Sequence, residues 1–261
     1  MNCAIIEPPV VSRKETIALG RVSYKNTLPL FYKFDLPFVE RIVGGTPSQL
    51  AKLLDTGLID GGILSSLYYL THKERFLLVP DISISSKGAV KSVLLFSKKP
   101  LGGIESVVPS PESLTSNFFL YAIFRKFRRQ QVAFVPEGGD ALLIIGDRAL
   151  AFPDRASFPY VYDIGELWFR YTGLPAVFAL FIVPREWAIA YPDLFAKLSL
   201  ALVESRESFF RELEGSNLPA GLKDYLLSLD YHFRREHLES LSLMESFLKE
   251  EGDLFFPLGG I

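Results

Sequence analysis

Short apolar runs alternate with amphipathic runs along the first part of this chain. The strand-like runs cover 17–22, 39–43 and 59–64, and the helical patterns cover 27–33 and 46–55. The helix over 46–55 is the best defined, because Thr46 can cap it, Pro47 suits its first position and Gln49 can complete a capping box. Strand and helix in alternation predict βαβ units and a parallel sheet.

The rest of the chain predicts a second group of strands and then a run of helices. The further strands are predicted at 77–79, 91–97, 107, 132–134, 141–145 and 176–183, and the further helices at 113–127, 186–213, 218–229 and 234–250. The run 91–97 is apolar on both of its faces, which is typical of a strand that is covered on both sides. The segment 98–103, which contains proline and glycine, interrupts the pattern.

These elements predict an α/β protein of two lobes, in which the second lobe is inserted into the chain. We expect residues 1–98 and 176–261 to form lobe I and residues 99–175 to form lobe II. This is the architecture of the type II periplasmic-binding-protein fold. In such folds the ligand lies in the cleft between the lobes and the crossovers act as hinges.

Composition and charge exclude several classes of partner. The 261 residues are 49% hydrophobic and 22% charged, with a formal charge of −2 and a pI near 6.0. Such a chain can bury a core, and it has no field that would attract nucleic acid or an anionic membrane. The longest apolar run, 174–183, is about half the length of a membrane span. Because residues 1–16 contain no apolar signal segment, we expect a cytoplasmic protein.

Metal and cofactor chemistry have no recognisable motif in the sequence. Cys3 is the single cysteine, and the three histidines lack the spacing of a metal site. There is no Gly-x-Ser-x-Gly motif and no glycine-rich phosphate loop. Because the net charge is also small, an anionic ligand would be held by local dipoles or individual basic groups.

Four polar stretches fall where strands end or helices begin, the positions at which α/β sheets contact ligands. They are Ser23–Thr27, Ser65–Ser66, Ser83–Ser86 with Ser92, and Ser113–Ser116. Hydroxyls and helix N-termini can hold a carboxylate, although serine and threonine at such places also act as caps and turn formers. Asn26 is the best functional candidate, since its carboxamide both donates and accepts. Asp147, which follows an apolar strand, is either an acid in the cleft or a structural cap.

Five stretches taken together resemble the chorismate dehydratase family of the futalosine route to menaquinone. They are 20–30, 80–92, 111–116, 143–150 and 162–179. The resemblance extends from about residue 17 to residue 185, with a weaker match in the helical tail. The family commonly has an aspartate before Gly88 and a proline after it, where this chain has Lys87 and Ala89. These differences affect the rim of the expected site.

The resemblance implies that chorismate loses water to give 3-[(1-carboxyvinyl)oxy]benzoate, without a metal or an organic cofactor. The matched stretches contain no histidine and few acids. We therefore hypothesise that the enolpyruvyl carboxylate of the substrate takes the proton. Asn26 and Ser92 would then position this carboxylate or the leaving hydroxyl.

The resemblance also implies a set of substrate contacts around the catalytic pair. The predicted contacts are Ser23, Thr27, Ser65, Ser86, Thr115, Ser116 and Asp147. Thr115 and Ser116 are assigned to one carboxylate of chorismate. Ser65 or Ser86 is assigned to the other.

Other functions are compatible with the same fold. A non-catalytic protein that binds small carboxylates is one, since a fold alone does not imply catalysis. The related 1,4-dihydroxy-6-naphthoate synthase is another, but its family typically has a Ser-Pro-Cys-Pro-Asn-Asp type start and a histidine in mid-chain, which this sequence lacks. A pyrimidine-forming enzyme of thiamine synthesis would call for a region rich in cysteine or histidine.

Overall fold

The computed structural model describes residues 14–251 of the chain. Cys3 and most of the stretch 1–16, on which the cytoplasmic prediction rests, lie outside the described residues. The strands are β1 (Ile17–Val22), β2 (Val39–Gly45), β3 (Gly61–Ser65), β4 (Phe76–Ser86), β5 (Val93–Ser97), β6 (Ser106–Val108), β7 (Ala133–Phe134), β8 (Ala141–Ile145), β9 (Tyr160–Asp163) and β10 (Ala176–Pro184). They form two five-stranded sheets, one in each lobe.

The first sheet has the strand order β2-β1-β3-β10-β4. β1 pairs in parallel with β2 and β3, so the predicted parallel pairing is present in this part of the sheet. β10 runs antiparallel to both β3 and β4. The return of this strand to the first lobe was predicted, but its insertion between β3 and β4 was not, and it makes the sheet mixed.

The second sheet has the strand order β7-β6-β8-β5-β9. β5 pairs antiparallel with β8 over the whole strand, from Val93 opposite Ile145 to Ser97 opposite Ala141. The placement of this strand in lobe I, within 1–98, was therefore wrong. The chain crosses into the second sheet before β5 and not at 98–103, because β5 is the central partner of β8 and β9. We propose residues 87–92 and 173–175 as the two crossovers.

The helices include most of the predicted ones, with shifted ends, and three that were not predicted, at 66–72, 146–150 and 164–172. In chain order, the helices are α1 (Pro47–Asp55), α2 (Ser66–His72), α3 (Leu114–Ala122), α4 (Gly146–Leu150), α5 (Ile164–Thr172), α6 (Arg185–Ala190), α7 (Pro192–Glu212), α8 (Ala220–Leu227) and α9 (Arg235–Glu251). A 3₁₀ helix spans Lys25–Phe31, and a π-helical turn, Ile123–Phe127, extends α3. Among residues 14–251, none of these helices combines the length and the apolar composition of a membrane span.

Local sequence signals explain two of these helices. The capping box predicted for α1 is present, because the Gln49 N–H donates to Thr46 Oγ1 (3.3 Å) and the Thr46 N–H donates to Gln49 Oε1 (2.9 Å). The single helix predicted over 186–213 is divided into α6 and α7. Tyr191 leaves the helical conformation, and Pro192 takes the first position of α7, where a missing N–H costs nothing.

The start of α5 is tied to the first crossover by hydrogen bonds. The Asp163 carboxylate caps α5 and also accepts from the backbone N–H groups of Val90 (3.0 Å) and Lys91 (2.7 Å) in the first crossover. Gly165 permits this close approach, since a Cβ there would lie 2.4 Å from Ser86 Oγ. The start of α5 therefore holds the first crossover in place.

One hydrophobic core runs through both lobes, and a smaller cluster covers the other face of the second sheet. Val93 and Leu95 of β5 belong to the main core, whereas Leu94 and Phe96 belong to the smaller cluster. The prediction that this strand is covered on both sides is confirmed. Phe96 also packs against Phe152, with 4.5 Å between the ring centroids.

Candidate active site

A small cavity of about 50 Å³ lies between the two lobes, where strand ends and helix N-termini meet. The residues that line it are Val22, Tyr24, Asn26, Pro47, Ser65, Ile84, Val90, Ser92, Val93, Ser113, Ser116, Ile145, Gly146, Phe178 and Ala179. None of these side chains carries a charge at neutral pH. The cavity is therefore an uncharged space with a few polar groups.

The 3₁₀ helix after β1 brings Asn26 to this cavity. Thr27 anchors the helix, because its fully buried hydroxyl lies within hydrogen-bond distance of the carbonyl oxygens of Val22 (3.0 Å) and Tyr24 (2.9 Å). Arg21 Nε donates to the same hydroxyl (3.0 Å). Asn26 Oδ1 is buried without a hydrogen-bond partner. Since an unpaired buried acceptor costs about 1–3 kcal/mol, this oxygen favours a ligand that brings a donor.

Ser92 reaches the cavity from the first crossover. Its hydroxyl accepts a hydrogen bond from the Tyr225 hydroxyl of α8 (2.8 Å), and its carbonyl oxygen accepts from the Gly146 N–H (2.8 Å). Burial raises the pKa of Tyr225, and this outweighs the opposite effects of Ser92 and of the neighbouring Asn26 side chain. Tyr225 therefore keeps its proton and acts as a donor to Ser92.

Helix N-termini from both lobes supply the other hydroxyls. Ser65 caps α2 by accepting from the Tyr68 N–H (3.3 Å), and its hydroxyl bonds to that of Thr115 across the lobes (2.6 Å). Ser113 caps α3 by accepting from the Ser116 N–H (3.2 Å), and the Ser116 hydroxyl donates to Ser113 Oγ (3.0 Å). The positive end of the α3 dipole thus faces the cavity.

The structure brings four of the predicted site residues together at the cavity. Asn26, Ser65, Ser92 and Ser116 line it. The other five predicted residues, Ser23, Thr27, Ser86, Thr115 and Asp147, do not.

Each of these five residues is either exposed or forms hydrogen bonds outside the cavity. Ser23 is exposed, and Thr27 anchors the 3₁₀ helix. The Ser86 hydroxyl donates to the carbonyl oxygen of Gly88 (3.0 Å), and Thr115 accepts from the Leu67 N–H (3.2 Å). Asp147 Oδ1 accepts from the Lys25 N–H (3.2 Å) and so links the lobes.

Two functional candidates, Tyr24 and Tyr225, were not singled out in the sequence. Tyr24 lies beside Asn26 in the first stretch of the resemblance, so its position was a signal that could have been used. Its hydroxyl donates to Glu112 Oε2 of the other lobe (2.6 Å). Burial raises the pKa of Tyr24, and this hydrogen bond raises it further by a smaller amount. Tyr225 had no such signal, because it lies in the helical tail among other apolar residues.

A wider groove of about 510 Å³ lies next to the cavity, along α1 and the strand ends of the second lobe. It shares Ile145 with the cavity and carries Lys52 and Arg148, but it contains neither Asn26 nor Ser92. The predicted catalytic residues, Asn26 and Ser92, therefore line the cavity of about 50 Å³ and not the groove.

The polar stretch Ser83–Ser86 ends β4, but its serines are fully buried and do not line the cavity. His237 Nε2 lies 3.0 Å from Ser85 Oγ and 3.3 Å from Asp230 Oδ2, which looks like a catalytic triad. However, the Arg234 N–H donates to His237 Nδ1 (3.1 Å), so Nε2 carries the proton. A histidine protonated there cannot take a proton from Ser85.

The same histidine is part of a possible metal-ligand group. Asp230, Glu236 and His237 hold their ligand atoms within 4.8 Å of one another. A metal ion would need an unprotonated Nε2, whereas the bond from Arg234 places the proton on this nitrogen. Glu236 also pairs with Lys87 (3.0 Å). The group is therefore a hydrogen-bonded support for β4.

Comparison with solved structures defines the class of the fold. The protein AF1704 from Archaeoglobus fulgidus superposes with a TM-score of 0.65 at 14% identity, covering 92% of this chain and 99% of that one. The periplasmic aliphatic sulphonate binding protein SsuA from Escherichia coli gives a TM-score of 0.60 at 15% identity, covering 92% and 93%. The chain therefore has the periplasmic-binding-protein fold, as predicted.

Sequence comparison then identifies the family. The family model described as menaquinone biosynthesis matches residues 17–250. The chorismate dehydratase of Thermus thermophilus is 31% identical over 270 residues, covering 92% of this chain and 97% of the relative. The chorismate dehydratase of Campylobacter jejuni is 31% identical over 189 residues, covering 68% and 72%. This chain belongs to the menaquinone biosynthesis family, and the resemblance read from its motifs is confirmed.

Proposed function

We propose that this chain is a chorismate dehydratase, which converts chorismate to 3-[(1-carboxyvinyl)oxy]benzoate and water. The hydrogen at ring carbon 3 leaves as a proton and the hydroxyl at carbon 4 leaves with its bonding electrons, so the ring becomes aromatic. The observation that carries the proposal is an uncharged cavity that lies between the two lobes and is lined by an amide, hydroxyls and the N-terminus of α3. The family membership gives independent support.

The absence of charge from the cavity lining suits substrate-assisted proton transfer. Among the described residues, those that line the cavity include no histidine, lysine, aspartate or glutamate. A fixed positive charge beside the enolpyruvyl carboxylate would lower its pKa, whereas an apolar cavity raises it and makes the carboxylate a better base. The lining therefore supports the hypothesis that this carboxylate takes the proton from carbon 3.

The hydrogen-bonding groups of the cavity support separate tasks. We assign Asn26 and Ser92 to the reacting part of the substrate, and Ser65 and Ser116 to its carboxylates. Hydrogen bonds to a carboxylate are stronger than bonds between neutral groups, and the dipole of α3 adds to them. Thr115 would act behind Ser65, through the bond of 2.6 Å between the two hydroxyls.

The remaining predicted contacts take supporting tasks in this proposal. Thr27 would set the position of Asn26, and Asp147 would hold the lobes together through Lys25. Ser86 would shape the first crossover, and Ser23 would lie at the rim of the cleft. These tasks agree with the burial and the hydrogen bonds of each side chain.

Incubation with chorismate tests the reaction directly. We expect mass spectrometry to detect an aromatic product lighter than chorismate by one water molecule. Binding of chorismate without this product would contradict the proposal and would favour a non-catalytic carboxylate-binding protein.

Single-turnover kinetics test the catalytic pair. We expect Asn26→Ala and Ser92→Ala each to slow product formation by about tenfold or more, since each substitution removes a hydrogen bond to a group that gains charge in the transition state. Ser199→Ala is the control, because its hydroxyl donates to the Phe195 carbonyl within α7 (2.8 Å), far from the cavity lining. Near-normal rates in both cavity variants would contradict the assignment.

A further inference from the structure

Three separate parts of the chain meet at the Tyr225 hydroxyl, which donates to Ser92 Oγ and lies within hydrogen-bond reach of the Asn26 side chain. Ser92 comes from the first crossover, Asn26 from the 3₁₀ helix after β1, and Tyr225 from α8 near the end of the chain. Ser92 and Asn26 line the cavity, whereas Tyr225 does not and lies behind them. Tyr225 is almost entirely buried, with 2% of its surface exposed, so its hydroxyl is held in a dry environment.

The direction of the hydrogen bonds in this group follows from the number of hydrogens that each side chain can donate. A tyrosine hydroxyl has one hydrogen, and that of Tyr225 points to Ser92 Oγ (2.8 Å). Ser92 Oγ therefore already accepts a bond from the protein. Its own hydrogen has no acceptor among the described residues, so it is available to a ligand oxygen in the cavity.

Asn26 Oδ1, which is buried, lacks a donor among the described residues, whereas the Ser92 hydrogen lacks an acceptor among them. The cavity thus presents one hydroxyl donor, Ser92, beside one carbonyl acceptor, Asn26. A ligand hydroxyl satisfies both, because it donates its hydrogen to Asn26 Oδ1 and accepts from Ser92 with its oxygen.

We propose that Tyr225 is a positioning residue, which holds Ser92 as the hydrogen-bond donor to the hydroxyl that leaves carbon 4 of the substrate. This inference rests on the proposed function. As the bond from carbon 4 breaks, the electron pair moves onto the leaving oxygen, and a donor already directed at that oxygen stabilises the charge. Without the Tyr225 hydroxyl, the Ser92 hydroxyl is no longer held by this bond and can rotate away from the leaving oxygen.

A double-mutant cycle tests this role. We expect Tyr225→Phe to lower kcat about tenfold, which corresponds to one oriented hydrogen bond, while KM changes by less than about twofold. In a Ser92→Ala background the same substitution should have no further effect on kcat, since Tyr225 acts through Ser92.

Tyr231 supplies a matched control in the same region. Its hydroxyl is buried and has no hydrogen-bond partner among the described residues. Tyr231→Phe therefore removes an equally buried oxygen without removing a hydrogen bond, and we expect wild-type kcat and KM.

The possible results separate this inference from the proposed function. A wild-type protein that leaves chorismate unchanged contradicts the proposed function itself. An active wild type with an unaffected Tyr225→Phe variant overturns only the role of Tyr225. Equal losses in the wild-type and Ser92→Ala backgrounds also overturn it, because Tyr225 would then act independently of Ser92. Failure of Tyr225→Phe to fold would assign the hydroxyl to stability and would overturn the inference as well.

Discussion

At the scale of single residues, Asp81 shows how a strained position is held by its hydrogen bonds. Its backbone is left-handed (φ 56°), a conformation that aspartate tolerates better than most residues. Arg206 Nη2 donates to its carboxylate (2.9 Å), and His232 Nδ1 lies 3.0 Å from it. The Arg206 side chain is 4% exposed, so its charge depends on this partner. Asp81 therefore joins β4 to α7 and to the segment before α9.

The Asp81 carboxylate predicts a loss of stability in acid. Burial opposes its ionisation, but the hydrogen bonds from Arg206 and His232 outweigh burial and hold the pKa of Asp81 below its ordinary value. A carboxylate with a lowered pKa in the folded state stabilises the fold above its unfolded pKa of about 4. This contribution is lost as the pH falls from about 4 through the lower, folded-state pKa.

We expect Asp81→Asn to lower the free energy of unfolding at neutral pH by about 1 kcal/mol, since the Asp81 side chain is 40% exposed and solvent screens its charge, and to make the decline in acid shallower. Urea unfolding measured from about pH 7 to about pH 3 checks this. Glu239→Gln is the control for the loss of one negative charge, because its ion pair with Arg235 is exposed. Parallel profiles of Asp81→Asn and the wild type would contradict the prediction.

At the scale of secondary-structure elements, the turn from β8 to α4 shapes the wall of the cavity. Gly146 makes this turn with φ at 64°, and its N–H donates to the Ser92 carbonyl oxygen (2.8 Å). A Cβ on Gly146 would lie 2.9 Å from the ring of Tyr24. Both the left-handed backbone and the contact with the ring require glycine at this position.

Two glycines with similar backbone conformations separate these effects. Gly138 has φ at 70°, but a Cβ there would meet no atom within 4 Å. We expect Gly146→Ala and Gly138→Ala each to lower the free energy of unfolding by about 1–2 kcal/mol through backbone strain. Only Gly146→Ala should also lower kcat/KM for chorismate, because its methyl group displaces Tyr24. Equal activity of the two variants would contradict the steric argument.

At the scale of the whole molecule, the lobes are closed over a space smaller than a ligand site. The cavity of about 50 Å³ is well below the 300–1,000 Å³ typical of such sites, so the lobes must separate before a substrate enters. Tyr24–Glu112, Ser65–Thr115 and Lys25–Asp147 are hydrogen bonds that cross between the lobes. Separation breaks them, and they therefore favour the closed state.

Tyr24→Phe should consequently weaken substrate binding. It keeps the ring against Gly146 and removes the bond of 2.6 Å to Glu112, so the state in which the lobes close around a bound substrate loses a stabilising contact. We expect KM for chorismate to rise about tenfold, the effect of one hydrogen bond to a charged group. Tyr32→Phe is the control, because it removes a Tyr32–Glu212 bond of equal length, 2.6 Å, within the first lobe. An unchanged KM in Tyr24→Phe would contradict this account of closure.

The order and type of most elements were determined by the sequence alone. Apolar periodicity and caps depend on residues a few positions apart, so β1, α1, β8 and the returning β10 were predicted from local patterns. The five stretches that resemble the family are also local patterns, so the family could be recognised from the sequence. It also directed attention to Asn26 and Ser92, which do line the cavity.

Only the tertiary structure decided which sheet contains β5, how Ser83–Ser86 is buried and which hydroxyls reach the cavity. Strands that are apolar on both faces look alike in sequence, and the sheet that a strand joins depends on partners such as β8, about 50 residues away. The Tyr225–Ser92 bond joins residues 133 positions apart. Such a contact has no local pattern, because it is created only when α8 packs against the crossover between the lobes.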